Sequence, residues 1–462
     1  MEERKFSVII PAYNGAEFIG KTIQSVLNQT YTNFELIIVN DASPDQTDEI
    51  ISQFSDNRIK YLTHPTNQGS NTARLTGIHA SNGEIIALLD QDDLIHPDKL
   101  RLHNEFLDEN PDIGLSYNAR FELNYSSDTI RDIWRPPKNI TLADLVLGFP
   151  IAPSEVVFKK EWTPTLKLND KSLGWTGGEI VWFGSLFLEG CQFGYVDRAL
   201  NYRRHHSGRI IRDLIGGCEL EISAQDRIFK DARCPFEILS LIPVAHSNIF
   251  MFWAYRAFAQ GETLIGQELA ARAVNENPTI IEGQPCEFLY HLIQNCDDDK
   301  NVDHEDLLAY VLNQLPSELD SLKEQSAWGI GRGYLRRATR EIMWGRPQNA
   351  KHLFEQAATY NACMDDDYQY ELTKKLIDYA NEFGEESAWR VLESWSPYLD
   401  EFGGESFTRK LKGIFLANLA FENYEQDNNG QVPRQALKAM MHDPSHIRNK
   451  GIWSIILRSI LN

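Results

Sequence analysis

Three aspartates, Asp90, Asp92 and Asp93, fall within four residues in the segment ALLDQDDLIHPDKL, directly after an apolar run. Carboxylates this close repel one another, and the repulsion costs stability unless something neutralises it. A divalent cation does so, and a ligand set made only of oxygens suits Mn2+ or Mg2+. Such an ion can bridge the two phosphates of a nucleotide diphosphate and neutralise the charge that grows as the diphosphate departs. The plainer alternative is an acidic turn capping a helix that begins near Pro97, but one cap has no use for three aspartates.

Three further segments carry polar residues of interest. VIIPAYNGAEFI places Pro11, Ala12, Tyr13 and Asn14 after an apolar run and before a helical pattern. IIVNDAS ends another apolar run in Asn40, Asp41 and Ser43, and a carboxylate there can accept from a base N–H or a ribose hydroxyl. Taken alone, Asp41 or Ser43 could equally cap the helix starting near Asp45. NQGSNTARLTGI puts Gly69 in a loop before a helix carrying Arg74, and a helix N-terminus behind a loop glycine can receive a phosphate or a sugar. By itself this last segment reads as a turn glycine and a surface arginine.

Elements that would hold these residues together are legible. Apolar runs at 6–10, 34–39, 58–62 and 84–89 predict strands, and helical patterns fall at 17–28, 45–55, 70–81 and 97–109. Apolar strands separated by helices mean β-α-β units and a mostly parallel, Rossmann-like sheet covered on both faces. Ligands of such sheets bind beyond the carboxyl ends of the strands, which is where all four segments lie. Beyond residue 140 we expect a helix at 141–148, a short strand near 154–158, a helix at 179–189 and a last strand, FGYVDRALNYRRH.

PAYN, NDAS, NQG with a downstream arginine, and DQDD followed by HPDKL, in this order and spacing, resemble the family-2 glycosyltransferases of GT-A fold over roughly residues 5–210. The resemblance implies an inverting, metal-dependent sugar transfer from a nucleotide diphosphate sugar, most commonly a UDP-sugar, to a hydroxyl of a glycan, lipid-linked saccharide or protein. It implies that Pro11, Tyr13 and Asp41 contact the base, that Asp90 lies near the ribose, that Asp92 is a metal ligand, and that Arg74 lies beside the nucleotide. Ala12, Asn14, Ser43 and Gly69 belong to the same donor pocket. The family's base is usually the Asp of a Glu-Asp pair opening a helix that ends in glycine. Counting back from Gly190 puts Glu179 in that slot and Gly178 in the slot of the Glu, a departure from the pattern. A first-turn Glu favoured by the helix dipole is the structural alternative. The family's basic cluster after the last strand corresponds to Arg203 and Arg204, as phosphate contacts, and His205, as a metal or phosphate contact. Trp175 is a candidate for stacking on the acceptor sugar or a rim tryptophan.

The formal net charge of −21 over 462 residues excludes nucleic acid as a general partner. Six scattered cysteines without a C-x-x-C pair fit free thiols better than disulfides or zinc, and with no apolar leader or membrane span in view the chain reads as cytoplasmic. Length implies two or three domains. We expect a GT-A domain over 1–220 and an α-helical, tetratricopeptide-like domain over 235–462 that binds acceptor, a protein partner or a second copy. The stretches 253–278 and 334–361, and more weakly 416–444, each read as a helix, a turn and a second helix. The segment GIWSIILRSILN reads as a packing helix before it reads as a weak membrane-surface contact. Two other functions remain. A nucleotidyltransferase would carry a glycine- and lysine-rich loop that PAYNGAEFI lacks. A catalytically impaired nucleotide-sugar-binding protein acting through its helical repeats stays open because of the Gly178–Glu179 departure.

Overall fold

The computed structural model describes residues 3–124, 128–148, 150–166, 178–205, 213–298, 303–315, 317–404 and 406–461. The chain divides into two compact units, residues 1–323 and 324–462.

The first unit is built on one nine-stranded sheet. Its strands are β1 (Phe6–Ala12), β2 (Phe34–Asn40), β3 (Ile59–Thr63), β4 (Ile85–Leu88), β5 (Leu94–Ile95), β6 (Ile113–Asn124), β7 (Ile130–Trp134), β8 (Val156–Lys159) and β9 (Gln192–His205), in the order β3-β2-β1-β4-β8-β6-β9-β5 with β7 on β6. The pairs β3–β2, β2–β1, β1–β4 and β6–β9 are parallel, whereas β8, β5 and β7 run antiparallel to their neighbours. The expected Rossmann-like sheet is therefore present, with its parallel part at β3-β2-β1-β4, but as a whole it is mixed, because β8, β5 and β7 run against their neighbours. The helices α1 (Ile19–Leu27), α2 (Thr47–Ser52), α3 (Ser70–Ala80), α4 (Lys99–Glu109), α5 (Leu142–Leu147) and α6 (Gly178–Leu188) connect the strands.

Strand alternation divides the core. Val8, Ile10, Leu36, Ile38 and Ala87 pack with Ile19, Ile23 and Val26 of α1 and Leu100 and Leu107 of α4. Their neighbours Ile9, Ile37, Val39, Ile86 and Leu88 pack on the other face with Ala73 and Ile78 of α3, Leu142 and Leu145 of α5, and Trp182 and Phe183 of α6. This is why β1 and β2 are buried at every position and read as unbroken apolar runs. Helix α3 lies close on β1, since a Cβ on Gly77 would come within 2.4 Å of Ile9 Cγ2. Emptying this contact by Ile9→Ala would cost about 2–5 kcal/mol.

The long strand β6 and its hairpin partner β7 have no counterpart in our sequence expectations. Along β6 the polar residues Ser116, Asn118, Arg120 and Glu122 share one face and are buried, paired with each other or with other buried groups. Parallel pairing makes the C-terminal ends of β1, β2 and β4 adjacent, because Ala12 sits beside Asn40 and Leu88 beside Ile9.

The rest of the first unit after residue 213 is helical, including the pair Ile242–Ala259 and Thr263–Glu276. The second unit is also helical, with the pairs Ser326–Met343 and Pro347–Thr359, then Phe407–Glu425 and Val432–His442. All three stretches expected to form helix pairs do so. Two residues past each first helix stands a residue with positive φ, namely Gly261 (78°), Gly345 (78°) and Asp427 (57°). In each, that residue's N–H donates three residues back and the next N–H donates five back, the left-handed turn that closes a helix C-terminus. Cys191, Cys218, Cys234, Cys286 and Cys363 are free thiols, as expected.

Candidate active site

The segment after β1 is held from two sides. The amide of Gln91 replaces a strand partner for Tyr13, accepting from its N–H at 2.9 Å and donating to its carbonyl at 2.8 Å. Asn14 adopts a positive φ of 52° and donates its N–H to Ser43 Oγ, while Gly15 N–H donates to Thr47 Oγ1. The Tyr13 ring remains 45% exposed, available to lie against a planar ligand.

Asp41 is buried, and its carboxylate accepts from Gln68 N–H at 2.9 and 3.0 Å and from Gly69 N–H at 2.7 Å, with His64 Nδ1 at 2.7 Å. It thus ties the end of β2 to the loop that opens α3. Neither Asp41 nor Ser43 caps the helix after Asp45, since α2 begins at Thr47 with Gln46 before it. Gly69 has a φ of 90°, and a Cβ there would meet nothing within 4 Å, so glycine is required by its backbone conformation rather than by crowding. His64 was not singled out from sequence. Its one signal is a polar residue directly after β3.

The acidic triplet follows β4 and does not cap α4, which begins at Lys99 behind Asp98 after the short β5 intervenes. Asp90 N–H donates to Ser154 Oγ at 3.0 Å. Asp93 is buried, and burial first, then Asp92 and Asp90, push its carboxyl well above the usual carboxylate range, while Arg203 and the Ser154 hydroxyl pull it back. Burial and the two neighbouring carboxylates thus both disfavour the charged form of Asp93. Arg204 is folded inward. Its Nη1 donates to Asp92 O at 2.7 Å, its Nε to Asp128 Oδ1 at 2.8 Å, and its own N–H to Asp93 Oδ1 at 3.3 Å. Arg203 is exposed.

Across the pocket, Arg74 is buried and carries two carboxylates. Its Nη2 donates to Asp90 Oδ1 at 2.5 Å, and its Nη1 to Glu179 Oε1 at 3.1 Å and Asn71 Oδ1 at 3.2 Å. Its guanidinium sits 5.4 Å from the centre of the buried Trp182 ring. Burial alone would lower the Arg74 pKa, but Asp90 and Glu179 outweigh it and raise it. Glu179 lies in the first turn of α6, which runs to Leu188 and is followed by Gly190 with a φ of 88°. Gly178 has a local reason, since a Cβ there would meet Asn71 Nδ2 at 2.3 Å. The small residue lets the start of α6 approach the start of α3, and this brings Glu179 to Arg74.

Beneath the acidic loop lies a buried polar network. Lys99 Nζ donates to Ser154 O at 2.5 Å and Asn201 Oδ1 at 2.8 Å. Asn201 Nδ2 donates to Ser154 O, and Asn118 Nδ2 to Asn201 Oδ1. His103 sits between Ser116 Oγ and Asn118 Oδ1, and burial followed by Lys99 pushes its pKa down to about 3. Sequence reasoning passed over this network. Its signal was Lys99, His103 and Asn104 at positions of α4 whose spacing faces the core.

Pro11, Ala12, Tyr13, Asn14, Asp41, Ser43, Gly69, Arg74, Asp90, Asp92 and Glu179 thus lie on β1, β2, α3, β4 and α6 or the loops beside them, and hydrogen bonds link Asp41 to Gly69 and Arg74 to both Asp90 and Glu179. His205 ends β9 opposite Asn124, but its side chain, like Trp175 as a whole, lies outside the described residues. Among the described residues no three His, Cys, Asp or Glu side chains form a ready metal cluster. Mg2+ and Mn2+ do not require one, because one or two carboxylates usually suffice when substrate phosphates complete the shell. Asp92 and Asp90 offer the oxygen donors that suit such an ion.

Residues 7–152 match the model of glycosyl transferase family 2. The match covers about a third of the chain. It includes the acidic triplet, Arg74 and Asp41, whereas Glu179 lies beyond the matched residues. An uncharacterised glycosyltransferase of Rickettsia bellii is 45% identical over 111 residues, 24% of this chain and 16% of that protein. The Escherichia coli protein WfgD, a UDP-Glc:alpha-D-GlcNAc-diphosphoundecaprenol beta-1,3-glucosyltransferase, is 34% identical over 160 residues, 35% of this chain and 62% of that one. The chain spans less than two thirds of either relative. Among solved structures, Staphylococcus aureus TarS 1-349 in complex with UDP shares 19% identity at a TM-score of 0.41, over 73% of this chain and 90% of that one. Both of these sequence relatives are glycosyltransferases, and no helix among the described residues is long and apolar enough to cross a membrane.

Proposed function

We propose that this protein transfers a sugar from a nucleotide diphosphate sugar to an acceptor hydroxyl with inversion at the anomeric carbon. The observation that carries the reading is Arg74, which joins Asp90 of the acidic loop to Glu179 at the head of α6. One residue thereby relates the donor side of the pocket to a carboxylate able to act as a base.

In this reading Tyr13 and the Asp41–Gly69 loop seat the nucleoside, and Arg203 faces the diphosphate. Glu179 accepts the proton of the acceptor hydroxyl as that oxygen bonds to the anomeric carbon. The bond from that carbon to the diphosphate oxygen breaks on the opposite face, and the nucleoside diphosphate leaves. A divalent cation held by Asp92 and Asp90, with His205 as a further ligand, would neutralise charge on the leaving diphosphate. Arg74 keeps Glu179 oriented. The helical pairs would serve as the surface for acceptor or a protein partner.

WfgD is named for UDP-glucose and for an acceptor on a polyprenyl diphosphate. That supports a UDP-sugar as donor and a lipid-linked saccharide as acceptor, ahead of a glycan or protein. The deciding experiment supplies UDP-, dTDP- and GDP-sugars with Mn2+ or Mg2+ and polyprenyl diphosphate saccharides, then measures release of the nucleoside diphosphate and the mass of the product. Release with one donor identifies the carrier. Nucleotide binding without release from any donor, in the presence of these acceptors, would instead assign the pocket to a binding protein.

A further inference from the structure

The helices Val432–His442 and Lys450–Leu461 pack on each other through Ala436, Ala439, Met440, Ile452, Ile455 and Ile456. The packing expected of GIWSIILRSILN is therefore real, but it uses only one face of that helix. On the other face Leu457 and Ile460 are each more than half exposed and Trp453 is 42% exposed. Leu437 and Met441, one turn apart on the neighbouring helix, are also more than half exposed, as is Ile447 in the turn between them. Trp453 Nε1 donates to Ile447 O at 2.8 Å, joining the turn to the second helix. These six residues make up over half of the eleven large apolar side chains exposed among the described residues, although they span only 437–460.

Charge separates this region from the rest of the chain. Residues 431–461 carry Arg434, Lys438, Arg448, Lys450 and Arg458 against Asp443 alone, in a protein of formal net charge −21. Asp443 is occupied locally, accepting from Ser445 N–H. Aliphatic residues and a tryptophan flanked by lysine and arginine suit the boundary between acyl chains and headgroups, where long basic side chains reach up to phosphate. An anionic surface repels an acidic protein as a whole but attracts a locally basic patch, so charge favours binding through this region. A protein partner would need shape complementarity and its own acidic rim, and a lipid surface needs neither.

We propose that this face docks on an anionic lipid surface, with Leu437, Met441, Ile447, Trp453, Leu457 and Ile460 entering the headgroup boundary. The inference stands independently of sugar transfer, because it rests only on the second compact unit.

The test is flotation of the full chain with vesicles of phosphatidylcholine alone and of phosphatidylcholine mixed with phosphatidylglycerol. The expected result is binding to the mixed vesicles that weakens as salt rises, with little binding to phosphatidylcholine alone. Met441→Ser with Leu457→Ser and Ile460→Ser should lower binding by about tenfold or more. These side chains face solvent, so the circular dichroism spectrum should not change. Lys450→Glu with Arg458→Glu tests the charge separately and should abolish the preference for phosphatidylglycerol. No binding to mixed vesicles, or binding indifferent to both variants, would overturn the proposal. So would a concentration-dependent dimer in sedimentation velocity that the serine variant abolishes while vesicles remain unbound, since the face would then meet a second copy.

Discussion

Arg74 and Glu179 lie 105 positions apart in the chain, yet Nη1 of one stands 3.1 Å from Oε1 of the other, and the same guanidinium reaches Asp90. The contact requires α3 and α6 to approach where Asn71 faces Gly178. A buried arginine between two carboxylates fixes both by geometry as well as charge, which the single ammonium of a lysine cannot do.

Arg74→Met should therefore lower transfer by about two to three orders of magnitude, with kcat falling more than KM changes, because the base loses its orientation. Arg74→Lys should lie between, reaching one carboxylate at a time. Steady-state kinetics on both variants decide this, and wild-type kcat in Arg74→Met would remove Arg74 from the mechanism.

Glu179→Gln keeps the shape of the side chain and its contact with Arg74 but has no carboxylate to take a proton. Transfer should fall by about 10²–10⁴-fold while nucleotide affinity stays within a few fold. Calorimetry beside a product assay separates the two effects. Full transfer in this variant would place the base elsewhere.

Asp92→Ala should abolish metal-dependent nucleotide binding without unfolding the chain, and EDTA should do the same to the unmodified protein, reversibly on adding Mn2+. Titration of UDP with and without the ion is the measurement. Equal binding in all three cases would show that Asp92 holds no cation.

The first four strands and their helices were legible to within a few residues, because strands buried on both faces appear as continuous apolar runs. The polar residues ending those strands could be named for the same reason. β6 was missed although its even positions are polar and its odd positions apolar through Leu123. Arg120 there meets Glu122 and Glu155, so a face that looks solvated in sequence is buried and paired. The pairing of Arg74 with Glu179, the turn of Arg204 toward Asp128, and the hold of Asp41 on residues 68 and 69 are tertiary contacts, and no local pattern encodes them.

Lys99 gives a prediction for stability. Burial pushes its pKa down to about 7, against an opposite pull from Glu155 and Asp93. Because the folded value lies below that of an unfolded lysine, the unfolded chain binds the extra proton between pH of about 7 and 10.5. Stability should rise with pH across that window by at most about 1.4 kcal/mol per unit, and be lost as pH falls toward 7. Lys99→Met should remove this slope. Denaturant unfolding of both proteins at several pH values checks it, and parallel curves would mean that Lys99 does not titrate on folding.

Gln91 occupies the middle of the acidic D-x-D motif, a position the motif itself leaves to any residue. Its amide grips both polar groups of the Tyr13 backbone, and a Cβ on Gly15 would lie 2.1 Å from its Oε1. The side chain works as a latch between the loop after β1 and the loop after β4. Asparagine is one methylene too short to span this gap, and glutamate offers no N–H for the Tyr13 carbonyl. Drift at position 91 would therefore change how firmly the nucleoside end of the pocket is framed while leaving every aspartate untouched.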